Sequence, residues 1–437
     1  MSVLIESVAT ELWASLEVLS VKGTVSAGCL ASVVWPQGLK ELNLDDDMEI
    51  PATVRLPASL RRLHFGRHFN HPIAGVAWPA SLKYLSLGGS FDQDCFNQPI
   101  DGVVWPASLQ QLYLGNGYNQ TIVGVVWPAS LLRLRFGSHF NHPIAGAAWP
   151  ASLQHLSLGG GYKEDFFNQP VDGVVWPASL QHLCLGDDFN QPIAGVAWPA
   201  SLLRLEFGFT FNQPIAGVAW PASLLRLEFA YEFNQPIDKV VWPASVQKLE
   251  IRGDFNQSIA GVAWPASLQE LEFEGDFNQP IAGVAWPASL QELEFEGDFN
   301  QPIAGVAWPA SLLRLEFGYR FNQPIDRVVW PASLQQLSFG DTFDQPIAEL
   351  VWPHSLQRLS FGEAFNQPIA GVAWPASLQQ LSFGDTFDQP IAEVVWPDSL
   401  QRLSFGQAFN RPIAGLRGQP PCNSCRSGIV STSRSPK

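Results

Sequence analysis

WPASLQELEFEGDFNQPIAGVA, residues 286–307, decides the fold of this chain. The preceding block, residues 264–285, repeats it letter for letter. Trp-Pro recurs at Trp35, Trp78, Trp105, Trp127, Trp149, Trp176 and Trp198, then every 22 residues from Trp220 to Trp396. A text that returns at a fixed short period describes a stack of similar coils, each too small to bury its own apolar face. Seventeen clear units are legible, one of them degenerate with Leu56-Pro57 in place of Trp-Pro. Trp13, with Leu16 and Leu19 behind it, reads as a weaker eighteenth.

Within the unit, Leu290, Leu293 and Phe295 follow a Leu-x-x-Leu-x-Phe pattern. Leu293 and Phe295 are two apart, as the inward face of a half-buried strand requires. Gly297-Asp298 marks a turn, and Phe299 and Ile303 are the apolar residues of the return arm. Pro302 and Pro309 leave six residues between them. Proline removes a backbone donor and disfavours helix at the residue before it, so this arm is expected to be extended or to hold one short 3₁₀ turn. Val306 and Trp308 are again two apart, which places the indole in the core. The competing reading is a row of exposed indoles that stacks sugars.

The block Phe-Asn-Gln-Pro-Ile, following Leu-x-x-Leu-x-Phe/Leu-Gly, resembles the FNIP repeat, a relative of the leucine-rich repeat. The resemblance runs from Trp35 to Ile413 with few departures: Tyr118 for Phe, Thr121 and Ser258 for Pro, Asp344 and Asp388 for Asn. It implies a right-handed, leucine-rich-repeat-like solenoid of about 17–18 coils with one parallel strand per coil and little or no helix. Members of this family often carry an F-box or a kinase domain. Residues 1–34 have no F-box pattern, and no glycine-rich phosphate loop or kinase catalytic loop occurs, so the resemblance implies a scaffold without those activities.

The expected organisation is a degenerate cap at 1–34, a solenoid at 35–415 and a disordered basic tail at 416–437. The tail holds Cys422-Asn-Ser-Cys425 in a Pro-, Ser- and Arg-rich setting. The spacing is 27 at two places, with extra residues near Phe91–Cys95 and Gly161–Asp165, both just after a Leu-Ser-Leu segment. Insertions of this kind leave a stack at one edge. Where the solenoid text stops at Ile413 no polar cap is recognisable, so the sequence allows end-to-end self-association.

Composition narrows the function classes. Net charge is −15, which repels phosphate backbones and argues against nucleic acid. No apolar run reaches bilayer length, and five cysteines in 437 residues make no disulfide framework. A cytoplasmic protein without membrane attachment is expected. No catalytic triad, metal quartet or phosphate loop rises above the repeat, so neither catalytic residues nor a cofactor nor a metal is expected.

Two sets of residues stand out. Asn190, Asn212, Asn234, Asn256, Asn278, Asn300 and Asn322 recur at one corner of the coil, where an amide satisfies backbone groups that the corner leaves unpaired. Asp344 and Asp388 are expected to form weaker or more exposed rungs of the same ladder. The second set lies on the solvent side of the strand. Glu206, Glu228, Glu250, Glu272, Glu294 and Glu316 precede the second inward residue of six consecutive units. Two positions earlier come Arg204, Arg226, Lys248, Glu270, Glu292 and Arg314. Parallel pairing aligns these files, and like charges side by side are unfavourable unless paired. Glu270, Glu272, Glu292 and Glu294 then form an acidic patch suited to a basic protein partner. The plainer alternative is a solvated face multiplied by tandem duplication. His155, His182 and Cys184 share one face of neighbouring strands but lack a fourth ligand, so a zinc site is not expected. The reading that follows is a non-enzymatic scaffold that binds a protein through the variable strand face, with a carbohydrate-binding module of exposed aromatics as the alternative.

Overall fold

In the computed structural model each repeat places its Leu-x-Leu or Leu-x-Phe segment in a short strand. The structure describes residues 15–21, 33–44, 50, 54–88, 95–159 and 166–412. The chain divides into two compact units. Unit 1 comprises the described residues up to Gln213 together with Val218–Leu224; unit 2 comprises Pro214–Gly217 and the described residues from Leu225 onward.

Unit 1 holds β1 (Val18–Val21), β2 (Glu41–Leu44), β3 (Arg62–Phe65), β4 (Tyr84–Ser86), β5 (Gln111–Tyr113), β6 (Arg133–Arg135), β7 (His155–Ser157), β8 (His182–Cys184) and β9 (Arg204–Phe207). Each pairs in parallel with the next in chain order. The degenerate Leu56-Pro57 repeat supplies β3 and the weak first repeat supplies β1. Unit 2 holds β10 (Arg226–Phe229), β11 (Lys248–Ile251), β12 (Glu270–Phe273), β13 (Glu292–Phe295), β14 (Arg314–Phe317), β15 (Gln336–Ser338), β16 (Arg358–Ser360), β17 (Gln380–Ser382) and β18 (Arg402–Ser404), again parallel and in order. No helix occurs among the described residues. The return arms are extended with tight turns, as the prolines require.

The register is equivalent position to equivalent position, so Leu249, Leu271, Leu293 and Leu315 align. Identical residues therefore stack, and the core becomes a set of files. Phe273 and Phe295 lie 5.7 Å apart between coils, as do Phe277 and Phe299 at 6.0 Å, while Phe295 and Phe299 touch within a coil at 4.4 Å. Offset stacking of this kind adds to the area buried. The indoles form another file: Trp264 stacks on Trp286 at 6.1 Å and stands edge-on to Phe273. Trp352 and Trp242 are only 6% and 7% exposed, which puts the rings in the core. The indole nitrogens of Trp264 and Trp286 are buried without a hydrogen-bond acceptor, a cost set against the area each ring covers.

Each corner is closed by a specific turn. The Leu290 N–H donates to the Pro287 carbonyl at 3.1 Å, and the Val306 N–H to the Ile303 carbonyl at 3.3 Å. Gly305 sits at φ +79° in the second turn, the left-handed position that a type II turn assigns to glycine. Gly297 answers a different demand. A Cβ there would meet the Gly275 carbonyl oxygen of the neighbouring coil at 2.2 Å, so close backbone approach excludes any side chain.

Side-chain ladders hold the corners in register. The Asn278 Oδ1 accepts from the Asn300 backbone N–H and from the Gln301 Nε2, both at 3.0 Å. Asp344 accepts from the Asn366 N–H at 2.9 Å and Asp388 from the Asn410 N–H at 3.0 Å. The expectation that the aspartate rungs are more exposed is corrected here. Each carboxylate supplies the accepting oxygen that the next backbone N–H needs, and Asp344 and Asp388 are half-buried whereas Asn366 and Asn410 are exposed; at Asp344 the Gln367 Nε2 turns to the backbone carbonyl instead of the side chain. A serine ladder runs beside it: Ser289 Oγ donates to the Leu268 carbonyl at 2.6 Å. The insertions near residues 91–94 and 161–165, Trp13 and the Cys422/Cys425 tail lie outside the described residues.

Because only the oxygen of the rung is used, Asn278→Asp should leave the thermal midpoint close to wild type. Asn278→Leu should cost about 1–3 kcal/mol, since it strands the Asn300 N–H and the Gln301 amide. Chemical denaturation of the two variants checks this, and equal losses would contradict the ladder's dependence on the acceptor.

Candidate functional site

The variable positions of the strands alternate with the buried leucines and phenylalanines, so they point away from the core. In unit 2, register sets Glu270 beside Glu292 and Glu272 beside Glu294, as read from the sequence. Glu228, Glu250, Glu272, Glu294 and Glu316 form one file. Glu206 belongs to unit 1, where Arg204 ion-pairs with it within the same strand.

The glutamates are bridged by three cations. Lys248 Nζ reaches Glu250 at 3.0 Å and Glu270 and Glu272 at 3.2 Å each. Arg314 reaches Glu294 and Glu316 at 2.9 Å and Glu292 at 3.4 Å. Arg252 reaches Glu250 at 2.6 Å, Glu274 at 3.4 Å and Glu228 at 3.6 Å. Arg226 adds a longer contact to Glu250 at 3.5 Å. The four-carboxylate patch is therefore real in position but flanked and partly neutralised by Lys248 and Arg314.

Three participants escaped the sequence reading: Arg252, Glu274 and Glu296. They occupy the position just beyond the strand. The signal was present, because Glu270-Leu-Glu272-Phe-Glu274 and Glu292-Leu-Glu294-Phe-Glu296 continue the period-two alternation one step past the last inward residue. In most other repeats glycine ends the alternation there.

The network leaves uneven charge. Burial works to raise the Glu250 carboxyl, but hydrogen bonds from Lys248 and Arg252 outweigh it and hold it below its ordinary value. Glu294 goes the other way. Burial pushes its carboxyl from 4.5 up to about 7, against the pull of Arg314 and with help from Glu316, Glu272 and Glu296. Glu296 is also raised, by burial and then by Glu274 and Glu272. The carboxylates of Glu272, Glu294 and Glu296 lie within 4.8 Å of one another. Beside them opens a cavity of 280 Å³ lined by Lys248, Glu270, Leu271, Glu272, Glu292, Glu294 and Arg314. The lining holds four carboxylates against two cations, an arrangement that favours a positive group.

In unit 1 the His155 and His182 rings stack at 4.3 Å. Burial, with His182 and Arg133 beside it, lowers His155 to about 4. Among the described residues the acidic side chains that converge closely enough to share an ion are those of Glu272, Glu294 and Glu296; His155, His182 and Cys184 do not converge in that way. The asparagine ladder contributes structure at the corner and lies off this face. Among the described residues no helix is long and apolar enough to cross a membrane.

The FNIP repeat model matches residues 51–90, 96–139, 118–161, 167–210, 211–254, 255–298, 277–320, 299–340, 321–364 and 365–408. The chain belongs to the FNIP repeat family. This FNIP-repeat chain is similar to CroV588, a solved circular leucine-rich-repeat protein, with 38% identity and a TM-score of 0.73 over 87% of the present chain. It spans 58% of that protein's length. A leucine-rich-repeat protein of Leptospira interrogans matches at 17% identity and TM-score 0.52, covering 91% of this chain and 96% of its own. TLR13, solved with single-stranded RNA, matches at 14% identity and TM-score 0.56, covering 85% of this chain and 61% of its own. These last two show the fold alone. No curated protein matches the sequence.

Glu294 gives a pH signature with a definite sign. Its carboxyl titrates near 7 in the folded chain and near 4.5 when unfolded. Between these values the folded state holds a proton that the unfolded state has lost, so its contribution to stability is full below pH 4.5 and is lost as pH rises through 7. Glu294→Gln should therefore raise the thermal midpoint at pH 8 and leave it unchanged at pH 4. A midpoint offset that is the same at both pH values would contradict the assignment.

Proposed function

We propose that this FNIP-repeat chain is a non-enzymatic protein-interaction scaffold whose unit 2 strand face receives an extended basic segment of a protein partner. The observation that carries the reading is the acid-lined cavity, in which Glu270, Glu272, Glu292 and Glu294 outnumber Lys248 and Arg314. A lysine or arginine entering it would give Glu294 a second counter-ion and restore its charge, offsetting first the burial and then the neighbouring glutamates that now hold its proton. Successive coils repeat the same positions at strand spacing, which suits a partner that is itself extended.

The fold supports the class and does not select the partner. An acidic strand face in unit 2 works against phosphate, in line with a protein partner. The alternative of sugar binding on exposed aromatics has less support, since among the described residues every tryptophan is buried or half-buried. The scarcity of cysteine, five in 437 residues, supports a cytoplasmic setting.

The test is fluorescence anisotropy with a labelled oligo-arginine peptide. Wild type should bind with an affinity that falls steeply with salt. Replacing Glu270, Glu272, Glu292 and Glu294 together by Gln should weaken binding at least about tenfold and flatten the salt dependence. Unchanged affinity and unchanged salt dependence would contradict the proposal.

A further inference from the structure

The strand face of unit 1 has the opposite chemistry. Pairing from β3 to β8 sets Arg62, Tyr84, Gln111, Arg133, His155 and His182 in one outward file. The second file is His64, Ser86, Tyr113, Arg135, Ser157 and Cys184. Neither file contains an aspartate or a glutamate, in a chain of net charge −15. The acid-free run is bounded by Glu41 on β2 and Glu206 on β9. Lys83, exposed and immediately before β4, adds a further positive charge on the approach to the face.

The cations here are available, whereas those beside the unit 2 cavity are occupied. Lys248, Arg252 and Arg314 each bridge three carboxylates. Arg133 and Arg135 are exposed and make no ion pair among the described residues. Arg62 has one contact, to Glu41 at 3.5 Å. Two of these guanidinium groups lie over tyrosine rings: Arg62 over Tyr84 at 4.8 Å and Arg135 over Tyr113 at 5.3 Å. A guanidinium resting on an aromatic face keeps its N–H edge free and loses less entropy when it grips an anion. The planar fork of arginine fits a carboxylate in two-pronged fashion.

We propose that the β3–β8 strand face of unit 1 is a second docking surface, one that takes an acidic segment of a protein partner. Two features select a peptide over a nucleic acid. The tyrosine faces are already covered by Arg62 and Arg135, so they are not open platforms for bases. The chain's overall negative charge opposes a long polyanion, while a short acidic segment responds mainly to charges within a Debye length, about 8 Å at physiological salt. This surface is independent of the acid-lined cavity of unit 2, and the scaffold thus presents two oppositely charged faces for two kinds of segment.

The experiment is anisotropy of a labelled oligoglutamate peptide on the full chain. Wild type should bind saturably, and the double variant Arg133→Gln/Arg135→Gln should bind about tenfold or more weakly with a smaller salt dependence. The double variant Arg358→Gln/Arg402→Gln makes the same change of net charge on β16 and β18 and should leave the affinity within about twofold of wild type. Far-UV circular dichroism and thermal midpoints of both variants should match wild type, since all four arginines are exposed. Absence of binding by wild type, or an equal loss in both variants, would overturn the proposal. So would tighter binding of a labelled oligouridylate of equal charge at the same ionic strength. Binding of oligo-arginine by the unit 2 cavity is a separate readout, and its failure leaves this result standing.

Discussion

Everything in this molecule depends on one coil covering the next. A 22-residue turn cannot bury its leucines, phenylalanines and tryptophan by itself, and its strand has no partner. Stacking in equivalent register solves both problems together. The Gln291 N–H reaches the Gln269 carbonyl at 2.8 Å, and Phe295 meets Phe273 at 5.7 Å. Backbone pairing and aromatic packing therefore advance together, one step per coil, and reinforce each other. That shared step is why glycine is demanded at Gly297, where a methyl group would hold neighbouring backbones apart.

The same constraint creates the charged strand face. Once equivalent positions align, any residue type that recurs from coil to coil becomes a file of like groups on the outside. Tandem copying of the block at residues 264–307 multiplied glutamate in this way. Unpaired, such a file would be destabilising, and the chain answers it with Lys248, Arg252 and Arg314, each spread over three carboxylates. The compensation is incomplete at Glu294, where burial and the neighbouring glutamates outweigh the pull of Arg314. Repeat architecture thus turns a sequence duplication into a site with a specific electrostatic demand.

Much of this was legible in the sequence because it depends on period alone. Leu293 and Phe295 announce the strand, Pro302 and Pro309 exclude helix, and Val306 and Trp308 put the indole inward. The glutamate files followed from the same counting. What stayed hidden depends on side-chain reach. That Arg252 crosses to Glu228 and Glu274 requires knowing how a long side chain lies over three strands. That Asp344 can stand in the ladder at all requires knowing that the next backbone N–H asks only for an accepting oxygen. The basic face of unit 1 was masked by the net charge, which averages Arg133 and Arg135 with acids placed elsewhere.

Within each unit the tryptophans line a dry core, and the strand face carries the outward residues that vary from coil to coil. Intrinsic fluorescence with iodide quenching tests this most directly, because most of the indole nitrogens are buried without an acceptor. Native emission should be blue-shifted and barely quenched by iodide, with both properties lost together in denaturant. Red-shifted emission that iodide quenches in the native state would place the indoles in water and contradict the dry core.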